Sequence, residues 1–190
     1  MAAHLLLAHH QGRTLAFTRA EEHGFSNFGG PLELPVHGLR LPRTLHQIAW
    51  LNHNELDCLA PPRYIWDLPL LYPMRYSGAS LRYEFSREAI TVKELDPNEP
   101  SDSWPYLGFP ELLPYYPLMV DSTVEEDWDS FIRHAPNLPI EQPSELVILV
   151  PPPQGLGFTL WGRGGDAEGV TIVFECALTT KQVNTYNLCS

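Results

Sequence analysis

Ser80-Leu-Arg-Tyr-Glu-Phe85 and Ala89-Ile-Thr-Val-Lys-Glu-Leu95 are the stretches on which the fold turns. Leu81, Tyr83 and Phe85 alternate with Arg82 and Glu84, and Ile90 and Val92 alternate with Thr91 and Lys93. A period of two with one charged face predicts paired strands, with a core on one side and water on the other. Upstream, Leu5–Leu7 and Thr14–Thr18 read as two short strands joined by Gln11-Gly12-Arg13. Phe28–Pro35 reads as a turn segment whose glycines permit positive φ. Leu45–Leu51 reads as a strand buried on both sides, after which Asn52 or Asn54 caps a short helix through Leu59, ended by Pro61-Pro62.

Downstream, Asp96–Ser103 is a polar, proline-containing loop at the midpoint of the chain. The best helical pattern is Asp121–His134. Ser122-x-x-Glu125 has capping-box spacing, and Val124, Trp128, Phe131 and Ile132 form one apolar stripe. Glu145–Val150, Gly157–Trp161 and Val170–Leu178 then read as three strands of an antiparallel meander, turning through Pro151–Gly155 and Gly162–Asp166. The expected fold is α+β and strand-dominated, with mainly antiparallel sheet and one good helix near 121–134. The 190 residues make one domain, with a faint echo between halves 1–95 and 96–190.

Composition narrows the class of function. Apolar residues are 44% and charged residues 18%, enough for a core and too little charge for a disordered chain. Nineteen prolines, twice the usual share of about 5%, argue against a helical bundle. Cys58, Cys176 and Cys189 are odd in number and contain no CxxC pair, which points to a reducing compartment. The N-terminus lacks a basic region and a long apolar run, and no stretch approaches the ~18 apolar residues of a membrane span. A cytoplasmic protein without a membrane partner is expected.

The net charge of −11 argues against nucleic acid as a partner. It is also lopsided. Residues 1–95 carry nine basic and nine acidic residues, whereas residues 96–190 carry Arg133, Arg163 and Lys181 against fourteen acids. Such polarity creates a field that attracts a basic partner. Beside it, Ser103–Met119 holds five aromatics and four prolines with no basic residue. Aromatics held by prolines lose little entropy on binding and make good interface anchors; as a packed-down loop, the same rings would complete the core.

Familiar catalytic motifs fail on inspection. Gly162-x-Gly164-x-x-Ala167 precedes an expected strand where a dinucleotide fingerprint needs a helix. Gly24-x-Ser26 is followed by Phe28 where the nucleophile elbow needs glycine. Asp127 and Asp129 sit about 200° apart on a helix and diverge. His9, His10, His46 and His53 show no metal-binding spacing.

Taken in order, several segments resemble the YwqG-like family of bacterial domains. They are Gly29-Gly30-Pro31-Leu32-Glu33-Leu34-Pro35, then Leu45-His46-Gln47-Ile48 with Asn54-Glu55-Leu56, then Gly78–Phe85. Leu107-Gly108-Phe109-Pro110, Leu146–Leu149, Trp161-Gly162-Arg163-Gly164-Gly165 and Val170–Phe174 follow. The chain departs from the family's pattern in lacking an Asp after Trp161-Gly162 and in carrying Leu149 where Gln is usual. The resemblance implies a strand-rich α+β domain, no defined reaction, and a toxin-neutralising immunity protein as the family-level function.

The leading expectation is therefore a non-enzymatic inhibitor of a basic toxin domain such as a nuclease. Its contact surface would be Asp121, Glu125, Glu126, Asp127 and Asp129, with Trp104, Tyr106, Tyr115 and Tyr116 as anchors, and neither cofactor nor metal is called for. A second reading is a small-molecule or glycan binder with Trp50, Trp66, Trp104 and Trp161 lining a cleft. A third is a hydrolase or metal enzyme using the N-terminal histidines.

Overall fold

The computed structural model describes residues 4–38, 45–59, 66–98, 112–140, 145–153, 160 and 170–189. Its strands are β1 (Leu6–His10), β2 (Arg13–Arg19), β3 (Ser26–Gly30), β4 (Val36–His37), β5 (His46–Leu51) and β6 (Leu68–Tyr72). They continue with β7 (Ala79–Phe85), β8 (Ile90–Pro97), β9 (Leu113–Glu125), β10 (Leu146–Val150), β11 (Val170–Ala177) and β12 (Gln182–Cys189). The helical elements are short: α1 (His53–Leu56), α2 (Trp128–Phe131) and a 3-10 turn at Ile132–His134. The fold is α+β and strand-dominated. All twelve strands join one sheet in the order β4-β8-β7-β12-β11-β10-β1-β2-β9-β3-β5-β6, antiparallel except for β4 against β8.

The alternation read from Ser80–Leu95 is the β7–β8 hairpin, with Leu81, Tyr83 and Phe85 buried and Arg82 and Glu84 exposed. Gln11 and Gly12, both at positive φ, turn β1 into β2. Strand β5 is buried nearly throughout, and Asn52 caps α1 by accepting from the Asn54 N–H.

The sheet has two faces. The inner one carries the main core, with Phe17, Phe28, Ile48, Leu118, Ile148 and Phe174 among its fully buried residues. The sheet curls around this core until its terminal strand, β6, reaches β7 and β12. Two buried tyrosines tie that closure. Tyr83 Oη donates to the Pro69 carbonyl at 2.7 Å and accepts from the Leu71 N–H at 3.1 Å. Tyr72 Oη donates to Asn187 at 2.9 Å and accepts from the Ala79 N–H at 3.0 Å. A smaller core lies on the outer face, where Leu7, Ala16, Val147, Leu149 and Val173 are covered by Phe131 and Ala135.

The structure corrects the expected helix at 121–134. Residues 121–125 belong to β9, and helix is confined to Trp128–Phe131 followed by the 3-10 turn. The first-turn cap is Asp127, accepting from the Ser130 N–H at 2.8 Å, and not Ser122. Pairing overrides the capping-box spacing, because residues 118–125 satisfy their backbone groups on β2. Consequently Val124 is solvent-exposed and takes no part in a helix stripe with Trp128.

The reading of Ser103–Met119 as one loop is likewise corrected for its second part, since β9 begins at Leu113. Pro114 and Pro117 lie in the first part of β9, which pairs with β3 alone because the β2 pairing begins at Leu118; a strand edge without a second neighbour is where proline, lacking an N–H, is tolerated. The register against β3 shifts between Phe28 and Gly30, with Gly29 and Gly30 at φ +66° and +82°, which accommodates the irregularity. The turn expected at Phe28–Pro35 accordingly starts as strand, with β3 running to Gly30. In the C-terminal part β10 pairs directly with β11 and β11 with β12. The strand expected at Gly157–Trp161 lies outside the described residues except for Leu160, which is in a turn.

Candidate functional site

Strand β9 carries most of the described candidate residues, and its two faces separate them. Tyr116 and Val120 pack against the inner core, and the Arg19 guanidinium lies 4.7 Å from the Tyr116 ring centroid. Tyr115, one residue earlier, points to the opposite face, because successive strand residues alternate. The tyrosine pair is thus divided, with Tyr115 55% exposed and Tyr116 partly buried. Asp121 is the extra residue of a bulge, since Phe17 is registered on Val120 and Ala16 on Ser122. The bulge keeps Val124 on the outer face opposite Thr14 and Met119 on that face opposite Thr18.

The outer side of β9 therefore presents Tyr115, Pro117, Met119 (46% exposed) and Val124 (51% exposed). Phe25, 78% exposed, precedes Ser26, which is registered on Leu118 beside Met119. Trp104 and Tyr106 lie outside the described residues.

The five acids follow one another along the end of β9 and into α2, and four of them have specific partners. Asp121 lies 3.5 Å from His4, and Glu125 pairs with Arg13 at 2.9 Å. Glu126 accepts from Thr14 Oγ at 2.7 Å and meets His134 Nε2 at 3.2 Å. Asp127 is held below the usual carboxylate pKa by the Ser130 hydrogen bond of its capping role. Asp129 is exposed in the first turn of α2.

Glu126 is also one link in a chain that docks α2 on the sheet. His9 Nδ1 meets Thr14 Oγ at 3.0 Å, Thr14 donates to Glu126, and Glu126 meets His134. The His9 ring stacks on Phe131, with centroids 4.6 Å apart, and lies 5.6 Å from Trp128. Burial lowers the His9 pKa against the opposing pull of Glu126, so the imidazole is neutral near pH 7. This knot holds α2 against the sheet through side chains that bond one another.

A second polar knot joins α1 to the sheet. Ser26 Oγ donates to Glu55 and accepts from the Asn52 N–H at 2.9 Å. Burial raises the Glu55 carboxyl above its ordinary pKa despite that hydrogen bond. Asp67 accepts from the His53 backbone N–H at 3.0 Å and from Trp50 Nε1 at 3.2 Å, and it meets His53 Nδ1 at 2.8 Å. Burial tends to raise the Asp67 carboxyl, but these hydrogen bonds outweigh it and hold the group below its ordinary value.

The rival readings gather less. Trp50 is fixed by Asp67, and the Trp66 ring is packed by Arg87 and Lys181 at 4.1 and 3.7 Å, while Trp104 and Trp161 lie outside the described residues. His9 is engaged with Thr14, His10 with the Glu145 carbonyl and His53 with Asp67, and His46 is buried. Among the described residues no three His, Cys, Asp or Glu side chains are gathered as a metal site requires.

Sequence reasoning singled out Tyr115 and the acids but missed Phe25, Met119 and Val124. The alternation of residues 115–119 was the available signal, masked by the two prolines. No helix among the described residues is long and apolar enough to cross a membrane. Comparison with protein-family models, with curated proteins and with solved structures finds no match to this chain.

Proposed function

We propose that this chain is a non-enzymatic protein-binding module, an immunity-type inhibitor that neutralises a basic secreted toxin such as a nuclease in the cytoplasm, in keeping with its YwqG-like resemblance. The observation that carries the reading is the charge of residues 121–129, where five carboxylates occur in nine positions with no lysine or arginine. Among the described residues Glu125 forms an ion pair with Arg13, while the partners of Asp121 and Glu126 include histidines, which are charged only when protonated. A cationic partner meets a field there that speeds encounter, and the exposed Tyr115, about 20 Å from Asp121 along the same strand at roughly 3.3 Å per residue, supplies an aromatic anchor to a partner large enough to reach both.

The test is the association rate with a panel of basic nuclease domains of secreted toxins, measured over a salt series. Glu125→Lys with Asp129→Lys reverses charge without touching the Glu126–Thr14 link. It should slow association about tenfold at low salt, and the difference should shrink at high salt. An unchanged rate at low salt would refute the docking role of this segment.

A further inference from the structure

We infer that Phe25 is the principal anchor of the partner interface, and that the partner offers it an apolar pocket with a basic rim. The inference rests on the proposed docking role of the acidic segment. It centres the apolar part of that interface on the 20–25 connection and gives the partner's matching surface its chemistry.

The first observation is where apolar surface is left open. All five large apolar side chains that are exposed among the described residues, Phe25, Leu112, Tyr115, Met119 and Val124, lie on β9 or beside it. Over β1, β10 and β11, by contrast, the outer face is covered, with Phe131 and Ala135 buried against Leu7, Val147 and Val173. Tyr115, the half-buried Pro117 and Met119 occupy successive outward positions, and Phe25 comes out at the level of Met119. Asp121 and Ser122 end that patch, and Val124 stands apart beyond them. A contiguous apolar patch with a polar boundary marks an interaction site, which single exposed residues do not.

The second is how Phe25 is held. The connection from β2 to β3 crosses β9 level with Pro117 and Leu118. The Ala20 N–H donates to the Pro117 carbonyl at 2.8 Å. Gly24 lies so close to Leu118 that an added Cβ would sit 1.9 Å from its carbonyl oxygen. Ser26, registered on Leu118, is fixed by the Asn52 N–H and by Glu55. Phe25 is 78% exposed between these two pinned neighbours. An aromatic ring on backbone that is already fixed loses little entropy on entering a pocket, which is what an interface anchor requires.

Third, charge selects the occupant. Exposed Glu21 and Glu22 belong to the same connection as Phe25, and exposed Asp121, whose partner His4 is charged only when protonated, follows Met119 by two residues. Residues 20–30 and 112–132 together hold seven acids and no lysine or arginine. A second copy of the chain laid on this patch would set like charges against each other. Lysines and arginines around an apolar pocket would instead meet Glu21, Glu22 and Asp121 while the pocket takes Phe25.

The probe is the same panel of basic nuclease domains, with association and dissociation rates read separately. Phe25→Ser, at an exposed position, should leave the urea midpoint in place and speed dissociation about thirtyfold with little change in association. Glu21→Lys with Glu22→Lys should slow association about tenfold at low salt and less at high salt. Val124→Ser, beyond Asp121, should leave both rates within about twofold.

If Phe25→Ser dissociates as slowly as the parent while Glu125→Lys with Asp129→Lys still slows association, the inference fails and the acidic docking role stands. If neither charge reversal slows association while Phe25→Ser still speeds dissociation, the docking role fails and the basic rim falls with it. If Val124→Ser speeds dissociation as much as Phe25→Ser, the anchor is misassigned. If the parent chain sediments as a dimer that Phe25→Ser converts to monomer, a second copy covers the patch and the inference is overturned. If no domain of the panel binds, both readings fall together.

Discussion

Replacing Tyr83 by phenylalanine removes a single oxygen from the interior, and the structure sets what that costs. Tyr83 is fully buried, and its hydroxyl serves two backbone groups of β6, the Pro69 carbonyl and the Leu71 N–H. β6 ends the sheet, so no further strand is there to take those groups. Burial and the nearby Cys176 push the phenol pKa well above its ordinary value, so the hydroxyl keeps its proton throughout the neutral range. Phenylalanine fills the same volume and leaves a buried donor and a buried acceptor unmatched. At about 1–3 kcal/mol for each orphaned group, Tyr83→Phe should lose about 2–6 kcal/mol. For a chain of this length that is a fall in Tm on the order of 5–15 °C. Urea unfolding measures the loss, and amide hydrogen exchange at Leu71 localises it. A loss below about 0.5 kcal/mol, in the range of ordinary surface substitutions, together with unchanged protection of Leu71, would refute the closure described for the sheet.

Two further outcomes are expected. Because burial lowers the His9 pKa below the ordinary 6.5, the unfolded chain takes up a proton that the folded chain refuses. That penalty is absent well above pH 6.5 and grows as pH falls below it, so the urea midpoint should drop between pH 7.5 and 5.5, and less steeply in His9→Gln. Parallel pH profiles of the two proteins would contradict this. Gly29→Ala should cost about 2 kcal/mol or more in urea unfolding, since φ at Gly29 is +66° and a Cβ there would run into the Pro114 carbonyl. A neutral substitution would mean that β3 and β9 approach less closely than described.

Much of the sheet was legible because its local patterns are strong. Strand β7 presents the period of two at full length and β8 does so through Val92, and β1, β2, β5 and β10 are short runs with few competing signals. Strand β9 was not legible. Its prolines break the strand pattern at 114 and 117, while Ser122-x-x-Glu125 and the acids after it imitate a helix start. Only the neighbours β2 and β3 settle the matter, and they lie about a hundred residues earlier in the chain. β6 hides behind Pro69 in a similar way, and β12 mixes Val183 and Thr185, both buried, with asparagines. The candidate surface follows the same logic. Tyr115 and Tyr116 look alike in sequence, and the strand alone decides that one faces outward and the other packs on the core. The link from His9 through Thr14 to Glu126 joins three segments that no local pattern relates.

The position of β9 also governs how the molecule is made. On a ribosome, β2 and β3 emerge early, each with one edge awaiting a strand that is still untranslated, since β9 inserts between them. At about 5–20 residues per second the wait from Gly30 to Glu125 is on the order of 10 s. During that interval the nascent chain offers open hydrogen-bonding edges to any other polypeptide nearby, so its yield in the cell should depend on holdase chaperones and on the pace of translation between β3 and the end of β9.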